Sequence, residues 1–143
     1  MQILTYTRKR SLKIQLATSK VSAGFPSPAD DYLENALDLN EHLINNPSAT
    51  FYVRASGDSM IGANINDGDL LIVDRSQDCD HQDIAIALLD GEFTVKRLIK
   101  KGGVLQLKAE NPFYPTITIQ QGQDFEVWGK VIHVIHSLNK KKR

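Results

Sequence analysis

From Thr50 onward the chain is written in short apolar runs of strand length, each closed by a turn signal. This pattern restricts the possible folds more than any other feature. Phe51-Tyr52-Val53-Arg54-Ala55 alternates, and Leu70-Leu71-Ile72-Val73 is a continuous apolar run suited to a buried strand. Residues 83–89 form another such run, and Asp90-Gly91 joins it to residues 92–99 with a strong hairpin signal. Lys101-Gly102-Gly103 turns into a strand over 104–108. Asn111-Pro112-Phe113-Tyr114-Pro115 reads as a loop before a short strand over 116–119. A long strand over 125–135 closes the pattern, with Gly129 marking a bulge or bend. No helical crossovers separate these runs, which argues against a parallel α/β sheet. The expected architecture is mainly β, with short antiparallel strands forming a partly closed barrel or a sandwich.

The first half-hundred residues differ. Residues 1–28 read as a flexible basic arm, in which Lys13-Ile14-Gln15-Leu16-Ala17 alternates and suits a short added strand. The arm has no room for a helix-turn-helix, which needs about three helices to bury a core. Val21-Ser22-Ala23-Gly24-Phe25-Pro26-Ser27-Pro28 is kept extended by its two prolines. Val21 and Ala23 share one side of such a segment, and Ala23 and Gly24 flank a bond with little side-chain bulk. A cleft with two shallow apolar pockets could read that pattern, but from this stretch alone an interdomain linker, with Gly and Pro as punctuation, is the better explanation. Residues 29–47 hold the helical candidate: Tyr32, Leu33, Ala36, Leu37, Leu39, Leu43 and Ile44 recur at three- and four-residue spacings. Asp38 with Glu41 reads as a capping box for a short helix through about Asn45, and Asn45-Asn46-Pro47 stops it; one helix or two short turns both fit the stretch. The domain proper is expected over 29–143.

Composition removes several function classes. At 143 residues the chain suits one domain, and 41% hydrophobic with 24% charged residues is ordinary for a globular protein. No run of about 18 apolar residues predicts a membrane span, and the first residues lack a secretory apolar core. The single cysteine, Cys79, excludes an internal disulfide and fits a reducing cytoplasm. Its neighbours Asp78, Asp80 and His81 make a loop thiol a better reading than a metal site. Formal net charge is zero, but unevenly spread. Five basic residues in 1–28 and four in the tail 140–143 leave eight facing all 17 acids between them, so that body carries −9. An acidic body argues against direct sequence-specific DNA binding.

Common site chemistries find no support. Neither G-x-x-x-x-G-K nor G-x-G-x-x-G occurs, and no cofactor or metal is implied. His133 and His136 are three apart in a strand pattern and fall on opposite faces; nothing selects His42 as a base. Lys96 stands out because it sits mid-strand, sharing a face with Thr94 and Leu98. If that face is buried, desolvation favours the neutral amine, which can take a proton from a serine hydroxyl. Ser59, in the turn Ser56-Gly57-Asp58-Ser59-Met60, is the candidate hydroxyl. The backbone N–H groups of Asp58 and Ser59 are candidates for holding an oxyanion. On pattern alone, Lys96 projecting into water and Ser59 capping a turn is the stronger reading, since both residue types are common and the mechanism needs geometry.

Four motifs bear on that choice. They are Ala23-Gly24-Phe25-Pro26-Ser27-Pro28, F-Y-V-x-A-S-G-D-S-M over 51–60, D-G-D-L-L-I-V-D over 67–74 and D-G-E-F-T-V-K-R-L over 90–98. In order and spacing the chain closely resembles the UmuD-type SOS-mutagenesis branch of the LexA-like self-cleaving peptidases. Plasmid-borne relatives of the MucA, ImpA and RumA type are equally similar. The resemblance implies Ser59 as nucleophile, Lys96 as general base and Ala23-Gly24 as the scissile bond. Position 23 is cysteine in the best-known UmuD and alanine in LexA, and alanine suits the same small pocket. The resemblance further implies a cytoplasmic bacterial homodimer whose self-cleavage is stimulated by RecA filaments on single-stranded DNA. The trimmed chain would join a UmuC-type Y-family subunit as part of an error-prone translesion polymerase. Two other readings compete: a catalytically idle dimeric accessory module, and a LexA-like repressor, which the short arm disfavours.

Overall fold

In a computed structural model, the runs from Thr50 onward supply seven strands of one antiparallel eight-stranded sheet, and Gln2–Thr5 adds the eighth. The structure describes residues 2–5, 12–17, 21, 23–25 and 33–139. The strands are β1 (Gln2–Thr5), β2 (Ile14–Ala17), β3 (Leu33–Leu37), β4 (Thr50–Arg54), β5 (Leu70–Asp74), β6 (Ile84–Leu89), β7 (Glu92–Lys101), β8 (Val104–Lys108), β9 (Ile117–Thr118) and β10 (Phe125–Ile135). Their order in the large sheet is β1-β4-β5-β10-β6-β7-β8-β9, an open arrangement in which the barrel does not close. The chain divides into two compact units, one of Met1–Tyr6 with Asn46–Arg143, the other of Thr7–Asn45.

Turn chemistry sets the register where the sequence said it would. Asp90 and Gly91 both adopt positive φ, 49° and 82°, as a two-residue hairpin turn requires, and Leu89 pairs with Glu92 across it. Gly129 sits where β10 slips register against β6, between Val127 and Gly129. A Cβ there would lie 2.6 Å from Val73 Cγ1, so only glycine lets β10 approach β5 this closely.

The core is built on both faces of β6. Ile86 packs with Val53, Leu71 and Val73, while Ala85 and Ala87, pointing the other way, pack with Leu98 and Leu107. Met60 and Ile65 join the first cluster, with Val95 of β7 packed against it. The excursion between β4 and β5 therefore lies over the sheet face rather than out in solvent. This matters because four inter-strand steps separate β4 from β7 in the sheet, about 19 Å if it were flat. The excursion and the twist of the sheet bring residues from the two strands into one region. Phe51 of β4 and Phe93 of β7 both rest on Trp128 of β10, at centroid separations of 5.1 and 5.6 Å.

Two expectations for the N-terminal region need correction. Residues 29–47 are not one helical stretch: the helix α1 covers only Leu39–Leu43, and Leu33–Leu37 is strand β3, paired with β2. Over five residues the period is ambiguous, since Leu33 and Leu37 fit either one helical turn or alternate strand positions. Backbone pairing to a distant segment decides it, and local spacing cannot reveal that partner. The cap was legible: Asp38 is extended, and its carboxylate accepts from Asn40 N at 2.9 Å. The second correction concerns Gln2–Thr5. Read as arm, these residues pair with β4, and Ile3 packs against the first core cluster. Residues 26–28, Tyr32, the arm's Arg8, Lys9, Arg10 and Lys20, and the tail 140–143 lie outside the described residues. No helix among the described residues is long and apolar enough to cross a membrane.

Candidate active site

Ser59 follows Gly57, whose φ of +86° suits glycine, and Asp58 in a tight turn leaving β4. Gly57 N donates to Asp67 Oδ1 at 2.8 Å, tying the start of the turn to the segment before β5. Met60, next to Ser59, is buried in the core, and this fixes the end of the turn. No acceptor among the described residues takes the backbone N–H of Asp58 or Ser59.

Lys96 lies in the middle of β7, opposite Ala85 of β6. Its face is buried: Lys96 is 9% exposed and Leu98 fully enclosed. Lys96 Nζ is 3.3 Å from Ser59 Oγ, 2.8 Å from Thr94 Oγ1 and 3.1 Å from the Val95 carbonyl oxygen. No carboxylate pairs with it among the described residues, so burial alone lowers its pKa. The three contacts suit a neutral amine. Its two N–H bonds can donate to the Val95 carbonyl and Thr94 hydroxyl, leaving the lone pair toward the Ser59 hydroxyl. An amine so placed can accept that hydroxyl proton as the oxygen attacks a carbonyl carbon.

Ser59 lines a small cleft of about 80 Å³ together with Ala55, Met60, Ile65, Phe93 and Val95. Beyond Phe93 a wider groove of about 320 Å³ runs past Leu89, Thr94, Lys96, Tyr114 and Ile117. Ala23 and Gly24 belong to the other unit, where they form an exposed bend.

Several residues at this site were not assigned a role from sequence. Thr94 could have been, since the strand period places it beside Lys96 on the same face. Asn111 and Tyr114 could not: both come from the proline-flanked loop and reach back about 55 positions to Asp58. Asn111 Nδ2 donates to the Asp58 carbonyl oxygen at 2.9 Å, and the Tyr114 hydroxyl donates to Asp58 Oδ1. The histidines stay apart from Ser59 and Lys96 in their contacts. His81 Nδ1 accepts from Lys100 N, and His136, just past the end of β10, meets buried Asp69 at 2.6 Å. Cys79 is buried, and that burial raises its thiol pKa. No group of three or more potential metal ligands exists among the described residues.

A sequence model of the Peptidase S24-like family matches residues 15–132. Protein ImpA of Salmonella typhimurium is 47% identical over 122 residues, covering 85% of this chain and 82% of that protein. Protein MucA of Escherichia coli is 40% identical over 114 residues, covering 80% of this chain and 78% of its own length. LexA repressor 1 of Geobacter sulfurreducens is 35% identical over 119 residues, covering 82% of this chain and 58% of the repressor. ImpA and MucA are among the relatives to which the sequence motifs point.

Proposed function

Since the chain belongs to the Peptidase S24-like family, we propose that it is a serine autopeptidase cutting its own Ala23-Gly24 bond. Ser59 is the nucleophile and Lys96 the general base. The observation that carries this reading is the 3.3 Å approach of Lys96 Nζ to Ser59 Oγ, with a pKa lowered by burial and no carboxylate holding the charge.

Neutral Lys96 takes the hydroxyl proton as Ser59 Oγ attacks the carbonyl carbon of Ala23. The resulting oxyanion is received by the Asp58 and Ser59 N–H groups. The intermediate collapses, the bond to Gly24 nitrogen breaks, and the Lys96 ammonium gives its proton to the leaving amine. An ester between Ala23 and Ser59 remains. Water attacks it while Lys96 takes the water's proton; collapse frees the Ala23 carboxylate, and Ser59 Oγ regains a proton from Lys96. The narrow cleft beside Ser59 favours a small residue such as Ala23. A substrate tethered to its own enzyme gains from high effective concentration.

The motif resemblance extends the reading to biology. The trimmed chain acts in the bacterial cytoplasm, as a homodimer, as the accessory subunit of a UmuC-type translesion polymerase. A RecA filament on single-stranded DNA speeds cleavage by favouring the arm-docked state.

The test is self-cleavage of purified protein at alkaline pH, followed by mass spectrometry. Chains beginning at Gly24 are expected from the wild type and absent from Ser59→Ala and Lys96→Ala. Cleavage at that bond in Ser59→Ala would overturn the dyad. An intact wild-type chain, even with RecA filaments present, would point to an idle accessory module.

A further inference from the structure

We propose that residues 110–114 act as a bracket that sets the distance between Ser59 and Lys96, with Asn111 and Tyr114 as positioning residues for the nucleophile. This rests on the dyad reading above.

The turn carrying Ser59 belongs to no strand. Its own neighbourhood holds it through Gly57 N on Asp67 Oδ1, a long 3.4 Å bond from Ile61 N to the Asp58 carbonyl oxygen and the burial of Met60. The loop after β8 adds ties from a distant segment on both sides of Ser59. On the N-terminal side, Asn111 Nδ2 donates to the Asp58 carbonyl oxygen and the Tyr114 hydroxyl donates to the Asp58 carboxylate. On the C-terminal side, Gly62 N donates to the Glu110 carbonyl oxygen at 2.8 Å. The same loop then holds the strand of the base: Arg97 Nε, next to Lys96, donates to Glu110 Oε1 at 2.6 Å. A single segment of five residues thus connects 58, 62 and 97.

Asn111 is the pivot. It is 6% exposed, and its Oδ1 accepts from Phe113 N at 3.0 Å while its Nδ2 serves Asp58. Both ends of the amide are used, which fixes its orientation. One bond shapes the loop and the other reaches the nucleophile turn, so chemistry can separate the two roles. The bracket also suits alkaline operation. The hydrogen bond to Asp58 raises the pKa of the Tyr114 hydroxyl, which keeps it a donor to higher pH than a free tyrosine.

The experiment uses full-length protein and two readouts. The first is the rate of alkaline self-cleavage across pH. Asn111→Ala is expected to slow it about ten- to a hundredfold, the scale of a displacement near 1 Å, without moving the pH midpoint. Asn111→Asp decides between the roles: it keeps the acceptor for Phe113 N and loses the donor to Asp58. It should be as slow as Asn111→Ala; wild-type speed in Asn111→Asp would reduce Asn111 to a loop anchor and overturn the proposal. Tyr114→Phe, a milder change at a half-exposed site, should slow cleavage several-fold and add nothing to Asp58→Ala, whereas additive effects would count against the bracket. The second readout is hydrogen exchange over residues 56–62 in a Ser59→Ala background, which needs no cleavage. Faster exchange there in the Asn111 variants, with β5 and β10 unchanged, supports the bracket, and unchanged exchange sinks it. An intact wild-type chain at alkaline pH would defeat the dyad reading, and the exchange experiment would still judge the bracket.

Discussion

A buried lysine without a carboxylate partner imposes a cost on folding, and that cost has a pH signature. Consider Lys96→Met in a Ser59→Ala background, which prevents cleavage in both arms of the comparison. Methionine has similar length and no charge. Lys96 is 9% exposed, and burial holds its pKa below the usual 10.5. In the window between the folded and unfolded pKa values, the unfolded chain binds the proton and the folded chain does not. Stability therefore rises with pH across that window, at up to about 1.4 kcal/mol per pH unit for one proton. Below the window both states carry the charge and the full penalty is present. Above about pH 10.4 neither does, and what remains is the loss of bonds to Thr94 Oγ1 and Val95 O, about 1 kcal/mol each, against a gain of about 1.5–3 kcal/mol for a buried apolar side chain. Urea denaturation of both proteins from neutral to strongly alkaline pH isolates Lys96, because every other titrating group is shared. The advantage of Lys96→Met should be largest near neutrality and shrink as pH rises. A difference that stays flat across the range would mean that the amine keeps its ordinary pKa, and the argument for a neutral base would fail with it.

Other parts of the fold give independent outcomes. Desolvation acts to raise the Asp74 pKa, but hydrogen bonds from Ser76, Asn46 and Gln77 outweigh it and hold the carboxyl below its ordinary value. Its contribution is thus present above about pH 4 and lost as pH falls through the folded pKa; Asp74→Asn should flatten the acid limb of a stability-pH curve and cost roughly 1–3 kcal/mol at neutrality. Gly129→Ala places a Cβ 2.6 Å from Val73 Cγ1 and should cost about 1–3 kcal/mol by urea titration, with part of the loss recovered by adding Val73→Ala. Cys79 is buried, with its thiol pKa raised by desolvation and then by Asp83. Iodoacetamide should label it slowly in the native protein and quickly in urea, as peptide mass mapping would show; fast native labelling would contradict its burial.

What could be read from the sequence follows from the range of the interactions involved. The hairpin at Asp90-Gly91, the bulge at Gly129 and the face shared by Thr94, Lys96 and Leu98 are set within a few residues, by φ preferences and strand alternation. Strand β3 is not legible in the sequence because five residues do not distinguish two periods, and its partner β2 lies 16 or more positions away. The addition of Gln2–Thr5 to the sheet edge has the same character, since its partner β4 is nearly fifty residues distant. At the site, Ser59 and Lys96 each carried a local signal. Asn111, Tyr114 and Glu110 did not: in a loop rich in proline their types look like ordinary turn and surface residues, and only the fold shows that they converge on Asp58, Gly62 and Arg97.

The two kinds of residue also divide the energetics. Lys96 is buried at a cost to stability, and three neutral oxygens offset only part of it. A carboxylate beside it would stabilise the fold but raise the pKa and hold the proton, pushing the neutral amine to higher pH. Strain or slack near such a group is therefore costly to function, because the amine has one lone pair and one productive direction. The surrounding contacts are correspondingly numerous and almost all outside the dyad: Asp67 on Gly57, Asn111 and Tyr114 on Asp58, Glu110 on both Gly62 and Arg97. Chemistry at Ser59 then depends on two separable quantities, the protonation of Lys96, set by burial along β7, and the placement of the hydroxyl, set by the loop after β8. Variants of β7 burial should move the pH midpoint of cleavage, while variants of the loop should move its plateau. A loop variant that shifted the midpoint as much as the plateau would show that the two are one quantity after all.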